Sequence, residues 1–221
     1  MDCFVDETKD PKDGGRVIAL GVLIVESGVL ESLHRQLENP IDQRAGCGAI
    51  VGEIHWREMG DIQAAVAKEW LSVFFSAPCT FFVHCRCLRD QTKSQTIKRL
   101  IESLEADPHV FGGLSRKLTT VHLDFDSADP PGMLEDLRRG FGLLRAFKWD
   151  SEGSRLLQLS DILLGVAKSA QSEDALTKEA SRGMQRRNDI VAEARRLATV
   201  RQRSHRFLIF EGGLMRFVFE P

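Results

Sequence analysis

Four acids in this chain occupy settings where a carboxylate is costly. "CFVDE" places Asp6 directly after a short apolar run, "VHLDFD" repeats the gesture with Asp124 and Asp126, "GEIHWREM" holds Glu53, and "LLQLSDILLGV" sets Asp161 in an otherwise apolar stretch. Charge taken out of water is strongly unfavourable unless it is paired or bound to a cation. An all-oxygen donor set suits hard divalent cations such as Mg2+ or Mn2+. Acids delivered from strand ends and a helix can meet at one point, the arrangement that clamps two ions about 4 Å apart for phosphoryl transfer. Without a cation such a cluster repels itself, so neutralising Asp161 is expected to stabilise the metal-free fold.

Spacing narrows the set. In "TVHLDFD" the period of two puts His122, Asp124 and Asp126 on one strand face and Val121, Leu123 and Phe125 on the other. Asp126 opens the turn-like "DSADPP", so Asp124 is preferred as the strand acid. On the late helix Gln158, Asp161, Gly165 and Lys168 share a face opposite the leucines, and Gly165 permits close approach of backbone or ligand. His55 and His122 stand near the acids as candidates for proton transfer. An acid at a strand end also serves as a turn residue or helix cap. That bland alternative is weakest for Asp161, which has apolar flanks on both sides.

The elements that must position these residues alternate in type. "CFVD" and "RVIALGVLIVE" read as a hairpin across "ETKDPKDGG", with Asp6 at the end of the first strand and the nearly all-apolar second strand central in a sheet. A helix over "ESGVLESLHRQLE" is expected to stop before Pro40, followed by irregular or extended chain through "DQRAGCGAIVGEIHWREMG". Helices follow over "DIQAAVAKEWLSVFF", "TKSQTIKRLIESLEA", "PGMLEDLRRGF" and "RLLQLSDILLGVAKSAQ", with strands at "TFFVHCRCL", "KLTTVHLDFD" and "GLLRAFKW". An arginine-rich helix and a hairpin about Gly212 and Gly213 complete the chain. Strands alternating with helices give an α/β class.

At 221 residues and 43% hydrophobic content the chain can build one large core with an appendage, which excludes a disordered protein. Five cysteines without a CxxC pair do not make a secreted disulfide framework and fit a reducing cytoplasm. The N-terminus lacks the basic-then-apolar order of a leader, and "VIALGVLIV" is far too short to span a bilayer, so a cytoplasmic protein without a membrane partner is expected. His84, Cys85 and Cys87 lack zinc-knuckle spacing, and "GCGAIVG" lacks the ending of a phosphate-cradling loop. The net charge of -2 hides an arginine-rich segment from Arg182 to Arg206. Arg186, Arg187, Arg195 and Arg196 are candidate contacts to the phosphates of DNA or RNA, with an ordinary solvated helix as the alternative. No aromatics interleave them, so base stacking is not indicated.

"FVDET", "EIHW", the strand acid of "HLDFD" and "LLQLSDILLGV" after "SEGS" resemble, in that order, the domain-of-unknown-function family 3800, whose signals run Asp-Glu-Ser-Gly, Glu-x-Lys, a strand Asp and Gln-x-x-Asp. The resemblance covers residues 1–171 and implies a ribonuclease H-like mixed β-sheet flanked by helices; residues 172–221 lie outside it and read as an arginine-rich helix and C-terminal β-hairpin appended to the same domain. By that likeness Asp6, Glu53, Asp124 and Asp161 bind one or two Mg2+ or Mn2+ ions and hydrolyse nucleic-acid phosphodiesters, with Glu7 and Gln158 as neighbours. Thr8 and Lys9 stand where Ser and Gly are typical, and His55 where a lysine is. These departures keep two rivals open: a noncatalytic nucleic-acid or protein-binding module with a degenerate site, and a hydrolase of a small phosphorylated molecule that would not need the arginine surface.

Overall fold

The computed structural model describes residues 1–10, 16–85, 93–106, 118–124, 132–141, 146–150, 154–171, 181–211 and 214–219. Strands β1 (Asp2–Asp10), β2 (Arg16–Val25), β3 (Cys79–Cys85), β4 (Thr120–Asp124), β5 (Ala146–Asp150), β6 (Phe207–Glu211) and β7 (Leu214–Phe217) form one sheet in the order β5-β4-β1-β2-β3-β6-β7. The helices are α1 (Leu30–Gly46), α2 (Asp61–Ser76), α3 (Lys93–Ala106), α4 (Met133–Phe141), α5 (Arg155–Gln171) and α6 (Arg182–Val200). An antiparallel meander β1–β2–β3 has parallel β4 and β5 added beside β1. This is the expected α/β class, a mixed sheet flanked by helices. At the C-terminus α6 packs against α2, β6 pairs parallel to β3, and β7 returns antiparallel to β6.

The period of two along β1 and β2 divides the core. Phe4, Leu23 and Val25 lie in the layer formed with α1, α2, α5 and α6, while Cys3, Val5, Leu20, Val22 and Ile24 lie in the layer formed with α3 and α4. From Ala19 to Val25 β2 is buried on both sides and carries only apolar residues and Gly21, as suits a central strand. Helix α5 lies close on β1 and β2. Ser160 Oγ donates to the Phe4 carbonyl at 3.3 Å, and Gly21 leaves the space, since a Cβ there would stand 2.7 Å from Phe81 Cζ and 3.2 Å from Leu164 Cβ.

Two expectations are corrected. The first strand does not end at Asp6: β1 continues to Asp10, with Asp6 opposite Gly21 and a register shift between Thr8 and Lys9. Backbone pairing with β2 carries the strand through a residue whose side chain alone looked like a terminator. Helix α1 also runs past Pro40 to Gly46. Pro40 and Ile41 are buried there, so packing offsets the missing N–H, and Arg44 Nη1 donates to the Pro40 carbonyl at 2.7 Å. The tip at Gly212–Gly213, and Asp126 and Cys87, lie outside the described residues. Among the described residues no helix is long and apolar enough to cross a membrane.

Candidate functional site

Between α1 and α2 the chain crosses the surface of α5 as an irregular strap. Two strap amides dock on that helix: Ile54 N donates to Gln158 Oε1 at 3.3 Å and Trp56 N to Asp161 Oδ2 at 2.8 Å. This is the helix face on which Gln158, Asp161 and Gly165 are aligned by their spacing. The docking brings three of the predicted residues together. His55 Nε2 lies 3.2 Å from Glu53 Oε2, and its Nδ1 lies 3.7 Å from Asp161 Oδ2. Gln158 also accepts from Arg155 Nη1 at 3.3 Å, and Arg155 is tied to Glu38 of α1 at 3.1 Å.

Two carboxylates around one imidazole set its protonation. Asp161 foremost, then Glu53, outweigh partial burial and raise the His55 pKa to about 9. The expected self-repulsion of the acids is therefore offset at Asp161, which faces a cationic ring and accepts an amide N–H, and neutralising it removes favourable contacts rather than repulsion. In an NMR titration His55 is expected to change charge near pH 9, and Asp161→Asn to bring the midpoint down. Because the folded value lies above the unfolded one, the stabilisation is fully present below pH 6.5 and is lost as pH rises through about 9. His55 is half exposed, so the effect on unfolding is screened to about 0.2–1 kcal/mol. A midpoint near 6.5 would show that the ring is not held between the two acids.

The strap is seated by Trp56, whose nearly buried indole fills the notch left by Gly165. A Cβ at position 165 would overlap Cγ, Cδ2 and Cε2 of that ring. Glycine to alanine inside a helix ordinarily gains about 1 kcal/mol. Gly165→Ala is expected to have the opposite sign, with a loss of about 1–3 kcal/mol from overpacking, read as a lower urea midpoint. A stabilised variant would contradict the seating.

The other predicted residues come from the sheet. Asp6 is buried on β1, two residues beyond Phe4 and so on the same strand face, the side covered by α5. Phe4 stacks on His122 of the neighbouring β4 at 4.3 Å between centroids, and His122 Nε2 lies 3.9 Å from Asp2 Oδ1. His122 thus contacts the start of β1. Asp124 follows His122 by two residues and is paired in register with Asp150 at the end of β5; its side chain lies outside the description. Asp150 has only a weak sequence signal, since Lys148 interrupts the apolar residues that precede it in "FKWD". Glu7 is corrected as a neighbour of the site. It belongs to the opposite face of β1, where its Oε2 meets Lys93 Nζ of α3 at 2.7 Å.

Four of the five arginines of α6 have partners among the described residues. Arg186 Nε binds Asp61 Oδ1 at 2.5 Å and its Nη1 donates to the Met59 carbonyl at 3.2 Å, while Arg182 Nη2 reaches Asp61 Oδ2 at 2.8 Å. Arg186, with Arg182 behind it, holds the Asp61 carboxyl below the usual carboxylate range. Arg196 forks onto Glu193 at 2.6 and 2.7 Å, and Arg195 lies over the Phe219 ring at 5.6 Å. Arg187 makes no ion pair among the described residues.

By type, the donors Asp6, Glu53 and Asp161 suit a hard divalent cation. By arrangement, no group of three or more His, Cys, Asp or Glu side chains among the described residues is disposed to hold a metal ion. No protein-family model matches the chain, and no curated protein does. Among solved structures it is similar to the crystal structure of the ribonuclease H2 from Pyrococcus horikoshii OT3, at 12% identity and a TM-score of 0.44, over 88% of this chain and 98% of that one.

Proposed function

We propose that this chain is a metal-dependent phosphodiesterase acting on nucleic acid, in which Asp6, Glu53, Asp124 and Asp161 bind one or two Mg2+ or Mn2+ ions. The observation that carries the reading is the gathering of Glu53 and Asp161, from a strap and a core helix, around one cationic ring beside the sheet face that bears Asp6. A divalent cation bound there would activate water and offset charge on the leaving oxygen. The protein's own part is to hold the acids in fixed directions. Buried β1 orients Asp6, α5 orients Asp161, and the docked strap orients Glu53 with His55, which stands ready to hold or release a proton beside them.

A second reading has its own support. Glu53 and Asp161 are already engaged by His55, as they would be in a noncatalytic nucleic-acid or protein-binding module that keeps the fold. Melting with and without Mn2+ separates the two, since a ligand at a hundred times its Kd adds about 2.7 kcal/mol to the folded state. Cleavage of single- and double-stranded DNA and RNA, beside a small-molecule phosphodiester, identifies the substrate class. For the contact surface on α6, Arg187→Gln is the cleanest single variant. If Arg187 meets a phosphate, the slope of log affinity against log salt flattens by about 0.9 on duplex. An unmoved melting temperature with no cleavage of any substrate would reject the enzyme reading.

A further inference from the structure

Resting on that reading, we propose that Gln63 and Arg186 are positioning residues for Glu53 and His55, joined in one clamp that makes α2 and α6 part of the site. Gln63 holds both ends of the strap with one side chain. Its Nε2 donates to the Glu53 carbonyl at 2.9 Å and its Oε1 accepts from Gly60 N at 2.7 Å. Of the residue types of that length, glutamine alone offers a donor and an acceptor on one planar group. The segment 53–60 is thereby closed into a loop whose middle residues, Ile54 and Trp56, are docked on α5.

Arg186 secures the end of the same strap. Its side chain is 22% exposed although its partner Asp61 is 59% exposed, because the guanidinium reaches past that acid to the carbonyl of buried Met59. One arginine of α6 thus ties the last strap residues to the first residue of α2, and Gln63 carries that fixed point back to Glu53. His55, half exposed in its ring, is held by the backbone on either side: Ile54 N and Trp56 N are each bonded to α5. The arrangement is that of outer partners orienting working side chains, whose loss typically costs about 10–100-fold in affinity or rate. It also gives Arg186 a role distinct from phosphate contact.

Gln63→Glu tests the clamp without removing the helix cap. The carboxylate still accepts Gly60 N–H, at a helix N-terminus that favours negative charge, but it has no donor for the Glu53 carbonyl. The expected result is an unreduced melting temperature, amide exchange at Ile54 and Trp56 faster by about tenfold or more, and kcat lowered by about 10–100-fold with KM little changed. Arg186→Lys, which keeps a charge for Asp61 but loses the fork onto Met59, is expected to speed the same two amides, whereas Arg187→Gln leaves their exchange as in the wild type. Wild-type exchange at Ile54 and Trp56 in both Gln63→Glu and Arg186→Lys overturns the proposal, whatever happens to kcat. Faster exchange in a protein whose wild type hydrolyses nothing with Mn2+ upholds the clamp and rejects the enzymatic reading.

Discussion

Asp161→Asn is expected to lower metal-dependent phosphodiester hydrolysis by about a thousandfold, the loss that follows removal of one preorganised charge-stabilising group. That factor corresponds to about 4 kcal/mol of barrier. The asparagine keeps the shape of the side chain and an oxygen for Trp56 N–H, which Asp161 accepts at 2.8 Å, so the strap stays docked and the charge alone is lost. Two consequences separate charge from shape. His55 loses the partner that contributes most to its raised pKa, and kcat falls more than KM changes, as for an interaction made in the transition state. The cost in stability is small beside this, because the His55 and Asp161 side chains are 51% and 31% exposed. Steady-state rates with Mn2+ decide it: an unaltered kcat removes Asp161 from the site.

Lys93→Met is expected to produce the largest change in stability. Alternation along β1 sends Glu7 to the α3 face, where it meets Lys93 at 2.7 Å with the two side chains 10% and 11% exposed. Removing one partner of such a buried pair typically costs about 3–5 kcal/mol. For a chain of this size each kcal/mol lowers the melting temperature by roughly 2–4 °C, giving a fall of about 6–20 °C. Glu7→Leu combined with Lys93→Met recovers part of the loss, because both charges leave together. Urea unfolding should show a lower midpoint with an unchanged slope. A loss below about 1 kcal/mol would mean that the pair behaves as a hydrated surface contact.

The sequence made the alternation of strands and helices legible because a period of two and a period near 3.6 are local properties. Apolar β2 and the leucine face of α5 were readable on that basis. The same periodicity placed Gln158, Asp161 and Gly165 on one helix face, and it is this face that receives the strap. Pro40 misled because its local preference ends helices, whereas burial of Pro40 and Ile41 keeps α1 going. At Asp6 a polar side chain imitates a strand end, whereas backbone pairing with β2 continues to Asp10. Gln63 has a legible signal: glycine, then glutamine three residues on, at the start of "GDIQAAVA", is the spacing of a helix-capping pair. For Arg186 no local signal exists. Its charge is visible, but its partner Asp61 lies 125 positions away, and only the fold decides whether a guanidinium meets a carboxylate or a phosphate.

Convergence of the acids on one cation is tested most directly by titrating Mn2+ into the isotopically labelled protein and following paramagnetic broadening of amide signals. At substoichiometric Mn2+ the amides of residues 5–7, 53–56, 123–124 and 160–162 are expected to broaden first and together, and Asp161→Asn to weaken all four effects at once. Broadening confined to residues 53–56 and 160–162, broadening elsewhere, or none at all would contradict a shared metal site.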